Sequence, residues 1–448
     1  MSSLKKLAIR GGMWTIFGYG SSQVLRFGSN VILTRLLVPE MFGLMSLANV
    51  FLMGLELFSD VGIAPSIIRH QRGEEPDFYN TAWTIQVLRG FALWIGCLII
   101  TYPVSNVYNE PRLLWIIPIL GFTTIIKGFN STGLHLSGRR IQTGKVTRLR
   151  IKVQILSLIV MITWAYFDRS IWALIVGNFV NALLLMLWSH QLTDDPPNRF
   201  TWDEEAKQDL FTFGKWIFVS TAMTFLASQA DRLLLGKLLS LEMLGVYSIA
   251  FFMSNVPEQV LKRLSGSIIL PVISKLKERP RAELRQQILE KRKFALLASI
   301  VGLLILVTCG DVIILLLYDQ RYVDASWMLP ILALGIWPVV LTQTIDPTLM
   351  AIGKPIYGAI GNFSKLVYMI AFIPVAFSTA GVLGAILVIA FNDLPFYLAI
   401  LVGLWREKLN CIVQDLQATL LLVVLVISTV YIRYILGWGT PLDILLNS

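Results

Sequence analysis

Arg26, Glu56, Asp60, Arg89, Lys127, Asp231, Arg232, Glu258, Lys262, Arg263, Asp346, Lys365 and Asp393 all fall inside long apolar runs of the sequence. A charge near the centre of a bilayer costs about 2.5–3.5 kcal/mol on insertion scales, so such residues face a partner, a bundle interior or a wet cavity. Arg26 is the sharpest case, because Ser21, Ser22, Gln23, Ser29 and Asn30 share its run. Arg26, Arg89, Lys127 and Lys365 suit a cationic cavity that holds an anionic headgroup by charge-assisted hydrogen bonds. Glu56, Asp60, Asp231, Asp346 and Asp393 suit ion coupling or gating. The competing reading is structural pairing, such as Arg26 with Glu56 or Asp60, or snorkelling near span ends. His70, His135 and His190 are far apart, and no nucleophile motif or metal-ligand spacing occurs. The sequence therefore predicts no catalytic residue, no metal and no cofactor. Cys97, Cys309 and Cys411 read as buried, inert thiols.

The elements that must carry these residues follow from composition. The chain has 448 residues, 55% hydrophobic and only 15% charged, against about 25% charged for a soluble domain. Its apolar runs are long and unalternating, which selects spanning helices over barrel strands. The predicted spans are Met13–Leu37, Phe42–Ile68, Thr81–Tyr102, Leu113–Leu136, Val153–Phe167 and Ile171–Trp188. The second half adds Trp216–Leu239, Leu244–Leu270, Phe294–Leu317, Trp327–Ile352, Tyr357–Phe377 and Val382–Trp405, with a last run at Leu416–Leu436. The expectation is an all-α polytopic protein of about 12–13 helices. Residues 1–190 and 214–405 form two pseudo-symmetric six-helix bundles around a central cavity. Residues 191–213 link them, and residues 406–448 add one helix and a tail.

The net charge of +10 is a topology signal, because the basic residues crowd alternate loops. One set holds Lys5, Lys6, Arg10, Arg69, Arg72, Arg139, Arg140, Lys145, Arg148, Arg150, Arg199, Lys207, the run Lys275–Lys293, Arg406 and Lys408; the other holds only Arg112, Arg169 and Arg321. The first set, with the N-terminus, is predicted to be cytoplasmic, and nucleic acid is excluded as a partner. An odd number of spans puts the C-terminus on the opposite side.

The chain also repeats itself. Arg35-Leu36-Leu37 with Glu40-Met41, Gly43 and Ser46 returns as Lys237-Leu238-Leu239 with Glu242-Met243, Gly245 and Ser248. Trp115-Ile116-Ile117-Pro118-Ile119-Leu120 returns as Trp327-Met328-Leu329-Pro330-Ile331-Leu332. Equivalent places in two six-helix blocks imply a parallel repeat and rocking, alternating-access transport.

The opening segment with Gly12-Met13-Trp14 and Leu33-Thr34-Arg35-Leu36-Leu37-Val38-Pro39-Glu40-Met41-Phe42-Gly43 resembles polysaccharide transporters of the Wzx type. So do Asp77-Phe78-Tyr79-Asn80-Thr81-Ala82-Trp83 and Ala230-Asp231-Arg232-Leu233-Leu234-Leu235-Gly236. These transporters belong to the multidrug/oligosaccharidyl-lipid/polysaccharide flippase superfamily. The resemblance implies a bacterial inner-membrane flippase, not an enzyme. Its cargo would be undecaprenyl-diphosphate-linked oligosaccharide, moved from the cytoplasmic to the outer leaflet for O-antigen or exopolysaccharide export. Coupling to an H+ or Na+ gradient is implied too. The alternatives are a drug/cation antiporter of the same superfamily, a lipid-II type flippase, and a membrane-embedded polysaccharide polymerase or ligase.

Overall fold

The computed structural model describes residues 2–60, 62–192, 196–264 and 280–446. The end of the predicted span Leu244–Leu270 and the basic residues Lys275, Lys277 and Arg279 lie outside the described residues. So do the side chains of Lys5, Lys6, Arg10, Trp216 and Arg263. Two compact units divide the chain, Met1–Phe225 and Leu226–Ser448.

In the first unit α1 (Ser2–Leu36) is followed by α2 (Pro39–Phe58), α3 (Ile63–Arg69), α4 (Pro76–Tyr108), α5 (Leu113–Gly128), α6 (Gly133–Arg139), α7 (Thr143–Phe167) and α8 (Trp172–Ser189). Punctuation is local. Pro39 and Pro76 open α2 and α4 where a missing N–H is harmless. Asn109 closes α4 in the left-handed conformation. Two predicted spans are corrected. Phe42–Ile68 breaks after Phe58 and resumes as α3, and Leu113–Leu136 bends by 58° between α5 and α6. Long apolar runs do not betray such breaks, because hydropathy is indifferent to backbone direction.

α9 (Glu204–Leu238) runs from the first unit into the second. There follow α10 (Leu241–Ser254), α11 (Val256–Leu264), α12 (Arg281–Leu317), α13 (Ala325–Gln343), α14 (Asp346–Ala351), α15 (Ile356–Ala390), α16 (Leu394–Arg406) and α17 (Ile412–Ile435). α15 is a hairpin rather than one rod. Ala380 and Gly381 leave helical geometry, with Gly381 at φ 59 and ψ −144, a conformation reserved for glycine. After this break the chain runs back antiparallel along the first arm into α16, so Lys365 meets Asp393 and a Cβ on Gly361 would touch Phe396. The predicted span Tyr357–Phe377 is the first arm, and Val382–Trp405 covers the second arm and, past a turn at 391–393, most of α16.

The repeat is visible as matching corners. α1 ends at Leu36 and α2 opens at Pro39; α9 ends at Leu238 and α10 opens at Leu241. Trp115-Pro118 and Trp327-Pro330 occupy the first turns of α5 and α13, each the longer part of a broken span. One region departs from the loop expected at Pro271–Lys293: from Arg281 onward it is helix.

Candidate functional site

In the first unit the predicted charges gather where α2 breaks. Lys127 Nζ lies 2.7 Å from Glu56 Oε1. The Arg89 guanidinium donates to Ser59 Oγ at 2.9 Å and to the Glu56 carbonyl. Arg89 thus caps carbonyl groups at the C-terminus of α2, where the helix dipole is negative. Asp60 Oδ1 accepts from the Gly62 N–H at 2.9 Å, which secures the left-handed Gly62 that restarts the chain. Glu56 thus pairs with Lys127, and Asp60 accepts from backbone. Arg26 is exposed in the middle of α1. Ser22, on the polar face of α1, donates to Gln154 Oε1 of α7 at 2.7 Å, and Gln154 Nε2 returns a bond to Ser22 O at 3.1 Å.

A cavity of about 310 Å³ adjoins the Glu56–Lys127 pair. α2, α5 and α8 line it, with Asn49, Thr123, Asn178 and Asn181 as its other polar groups. Sequence reasoning missed the asparagines. Their signal was available, since Asn178 and Asn181 stand three apart in an apolar run and share a helix face.

In the second unit Lys365 Nζ meets Asp393 Oδ2 at 2.7 Å. Asp231 and Glu258 line the same small cavity, of about 50 Å³, together with Ser254, Asn255 and Asn392. Asp231 accepts a hydrogen bond from the Tyr247 hydroxyl through one oxygen. Its other oxygen is buried without a hydrogen-bond partner among the described residues. Glu258 pairs with Lys262 one turn on. Arg232 points elsewhere, donating to Gln229 Oε1 at 2.7 Å and lying 4.7 Å over the Phe251 ring. Asp346 opens α14 near Gly358 and is absent from this cavity's lining. So the predicted residues fall into two groups, Glu56, Arg89 and Lys127 in one unit, and Asp231, Lys365 and Asp393 in the other.

A buried pair was missed entirely. Arg292, read as a basic loop residue, is ion-paired with Asp415 at 1% and 3% side-chain exposure. Arg292 also donates to Thr344 Oγ1 at 2.7 Å and to Leu341 O at 2.9 Å, while the Tyr397 hydroxyl donates to Asp415 at 2.7 Å. At the far end of α17, Arg433 donates to Asp311 of α12 at 2.7 Å. α17, the last long helix, is thus bonded to its unit near both ends. Cys97 and Cys411 are buried as expected, but Cys309 is exposed.

Outside the spans, charges organise the helix ends. Arg139 donates to the carbonyls of Ile67, Ile68 and His70, closing the end of α3. Arg72 binds Asp203 at 3.3 Å and Glu205 at 3.1 Å. At the α4–α5 turn, Arg112 binds Glu110 at 2.7 Å and also pairs with Glu40. The hydrogen bond from Arg112 holds the Glu110 carboxyl below the usual carboxylate range.

Known proteins share this architecture. The solved structure titled "Lipid II flippase MurJ, inward closed conformation" superposes with TM-score 0.68 at 14% identity, over 95% of this chain and 93% of that one. An inward-facing multidrug resistance MATE family transporter of the MOP superfamily gives TM-score 0.68 at 14% identity, over 86% and 94%. The fold is therefore that of these polytopic transporters. Among curated proteins, the succinoglycan biosynthesis transport protein ExoT of Rhizobium meliloti is 21% identical over 78% of this chain and 70% of its own length. With a match that spans residues 32–327, the chain belongs to the polysaccharide biosynthesis protein family.

Proposed function

We propose that this chain is a flippase of polysaccharide export, a multi-pass protein of the bacterial inner membrane. It moves undecaprenyl-diphosphate-linked oligosaccharide from the cytoplasmic to the outer leaflet by alternating access. It is a transporter rather than a catalyst. The observation that carries the reading is the placement of Arg89, Lys127 and Lys365 within apolar helices, each bonded to polar partners, in a chain of this family. A diphosphate competes for such cations because charge-assisted bonds to phosphate are strong. Arg26 adds an exposed cation in the middle of α1.

Ion coupling belongs to the second unit. Asp231, Glu258 and Asp393 surround one lysine, and the unpartnered Asp231 oxygen faces a space with room for water or a small cation. Protonation of a carboxylate there, or entry of Na+, would loosen Lys365 from Asp393 and free it for cargo. Glu56, through its hold on Lys127, does the same in the first unit; Asp60 and Asp346 stand at helix breaks and act as gates. The N-terminus is cytoplasmic.

The test is transfer in proteoliposomes loaded with defined undecaprenyl-diphosphate-linked sugars, read by a membrane-impermeant glycosidase. Arg26→Ala, at normal protein level, is expected to abolish transfer. A normal rate in that variant removes Arg26 from the cargo path, and no transfer by the unaltered protein sinks the reading. Dissipating the H+ and Na+ gradients separately identifies the ion. A second reading, a drug/cation antiporter, draws on the three carboxylates around Lys365. Efflux of an organic cation against a gradient, without lipid transfer, would favour it.

A further inference from the structure

The cavity between α2, α5 and α8 has a chemistry that phosphate binding does not use. Asn49 and Asn178 are exposed in the middle of apolar helices. An amide whose hydrogen-bonding capacity is left unused in hydrocarbon is costly, so these side chains face water or a polar ligand. Asn178 Nδ2 donates to Leu174 O at 2.9 Å, and Asn181 Nδ2 donates to Ser157 Oγ at 3.2 Å. Those bonds orient the two amides and leave each with an acceptor oxygen and further donor capacity.

We propose that this cavity is a saccharide subsite, in which the amides of Asn49, Asn178 and Asn181 bind hydroxyl groups of the cargo glycan beside Lys127. The inference rests on the flippase reading above and adds where the sugar is recognised. A hydroxyl both donates and accepts, and a carboxamide offers both functions in one plane. The local charge is balanced, because Glu56 and Lys127 neutralise each other at 2.7 Å. A site for an organic cation would carry excess acid. The volume, about 310 Å³, is at the lower end of small-molecule pockets, roughly 300–1,000 Å³, and admits about one or two sugar rings. Thr123, on the α5 wall, adds a hydroxyl to the lining.

The experiment compares binding of two lipids to the full chain in nanodiscs by native mass spectrometry. One is undecaprenyl diphosphate; the other is the same lipid bearing an oligosaccharide. The unaltered protein is expected to prefer the sugar-bearing lipid. Asn178→Ala and Asn181→Ala are expected to erase roughly tenfold of that preference, the scale of one or two hydrogen bonds, with bare-lipid binding unchanged. Asn49→Ala, at an exposed position, gives the same readout without opening the core. Equal loss for both lipids, or no change for either, overturns the subsite. An unaltered protein without preference also overturns it, while transfer in proteoliposomes could still stand. An unaltered protein that binds neither lipid overturns the cargo reading itself.

Discussion

Lys127 and Glu56 behave as a latch, because each satisfies a charge the other would leave exposed inside an apolar bundle. Lys127→Ala is expected to stop lipid transfer, and Lys127→Arg to retain part of it, since a guanidinium also binds diphosphate. Equal loss in both, at equal protein level, would assign Lys127 to packing. The Arg292–Asp415 pair is buried more deeply. Removing one member of such a pair costs about 3–5 kcal/mol, because the other charge is stranded. Arg292→Met should therefore lower the thermal midpoint in detergent strongly, and Arg292→Met with Asp415→Leu should restore much of it. If the single substitution melts like the unaltered protein, the pair is not closed in solution. These residues show what could be read from the sequence. Lys127, Arg89 and Lys365 were identifiable as intramembrane charges because hydropathy marks their surroundings. Their partners were not, because Glu56 and Lys127 are joined only by the packing of α2 on α5. Arg292 was hidden for a different reason: it lies among Lys291 and Lys293, and a basic run reads as a topology signal whatever each side chain does.

At the scale of helices, packing turns on a few close backbone approaches. A Cβ on Gly335 of α13 would lie 2.1 Å from Ala390 O at the end of α15, and one on Gly90 of α4 would lie 2.7 Å from Thr124 O of α5. Backbone oxygens cannot rotate away as a side chain can, so the helices must separate. Gly335→Val is expected to cost about 1–3 kcal/mol or more, read as a lowered unfolding midpoint. Gly302 of α12 is the contrast, because nothing lies within 4 Å of its would-be Cβ. Gly302→Ala should be neutral or stabilise by up to about 1 kcal/mol, through better helix propensity. A loss there as large as at Gly335 would mean that general strain, not the close approach, sets the cost. The helices themselves were legible, since apolar length fixes where a chain can cross. Their breaks were not. α2 stops at Phe58 and α5 at Gly128 within continuous apolar sequence, and the caps that hold the α2 break, Arg89 on Glu56 O and Asp60 on Gly62, come from charges that sequence alone assigned to cargo or ion coupling.

Across the whole chain, the ion pairs outside the spans sort by charge and side. In the first unit Arg72, Arg139 and Arg140 gather with Glu74, Asp203 and Glu205 at one end, whereas Glu40, Glu110 and Arg112 meet at the other end of α4. In the second unit Arg281 and Lys354 share Glu407, and Arg321 pairs with Asp319 beyond the far end of α12. The positive-inside bias predicts that the more basic end is cytoplasmic, so a membrane-impermeant maleimide on intact cells should label Asn106→Cys and Gln320→Cys. Glu205→Cys should react only after the membrane is opened, and the reverse pattern would turn the topology over. Sidedness then decides which acid the protein feels. The Arg112 hydrogen bond depresses the Glu110 carboxyl, so the folded state binds that proton less readily than the unfolded chain. The stabilisation is present above the ordinary glutamate value of about 4.3 and is lost as pH falls through the lower folded value. With the α4–α5 turn outside, acidifying only the external medium of sealed vesicles below about pH 4 should speed thermal unfolding of the unaltered protein, and Glu110→Gln should blunt that response. Acid that acts equally from the lumen and from the medium would assign the sensitivity to other carboxylates and leave the Glu110–Arg112 contact without a part in it.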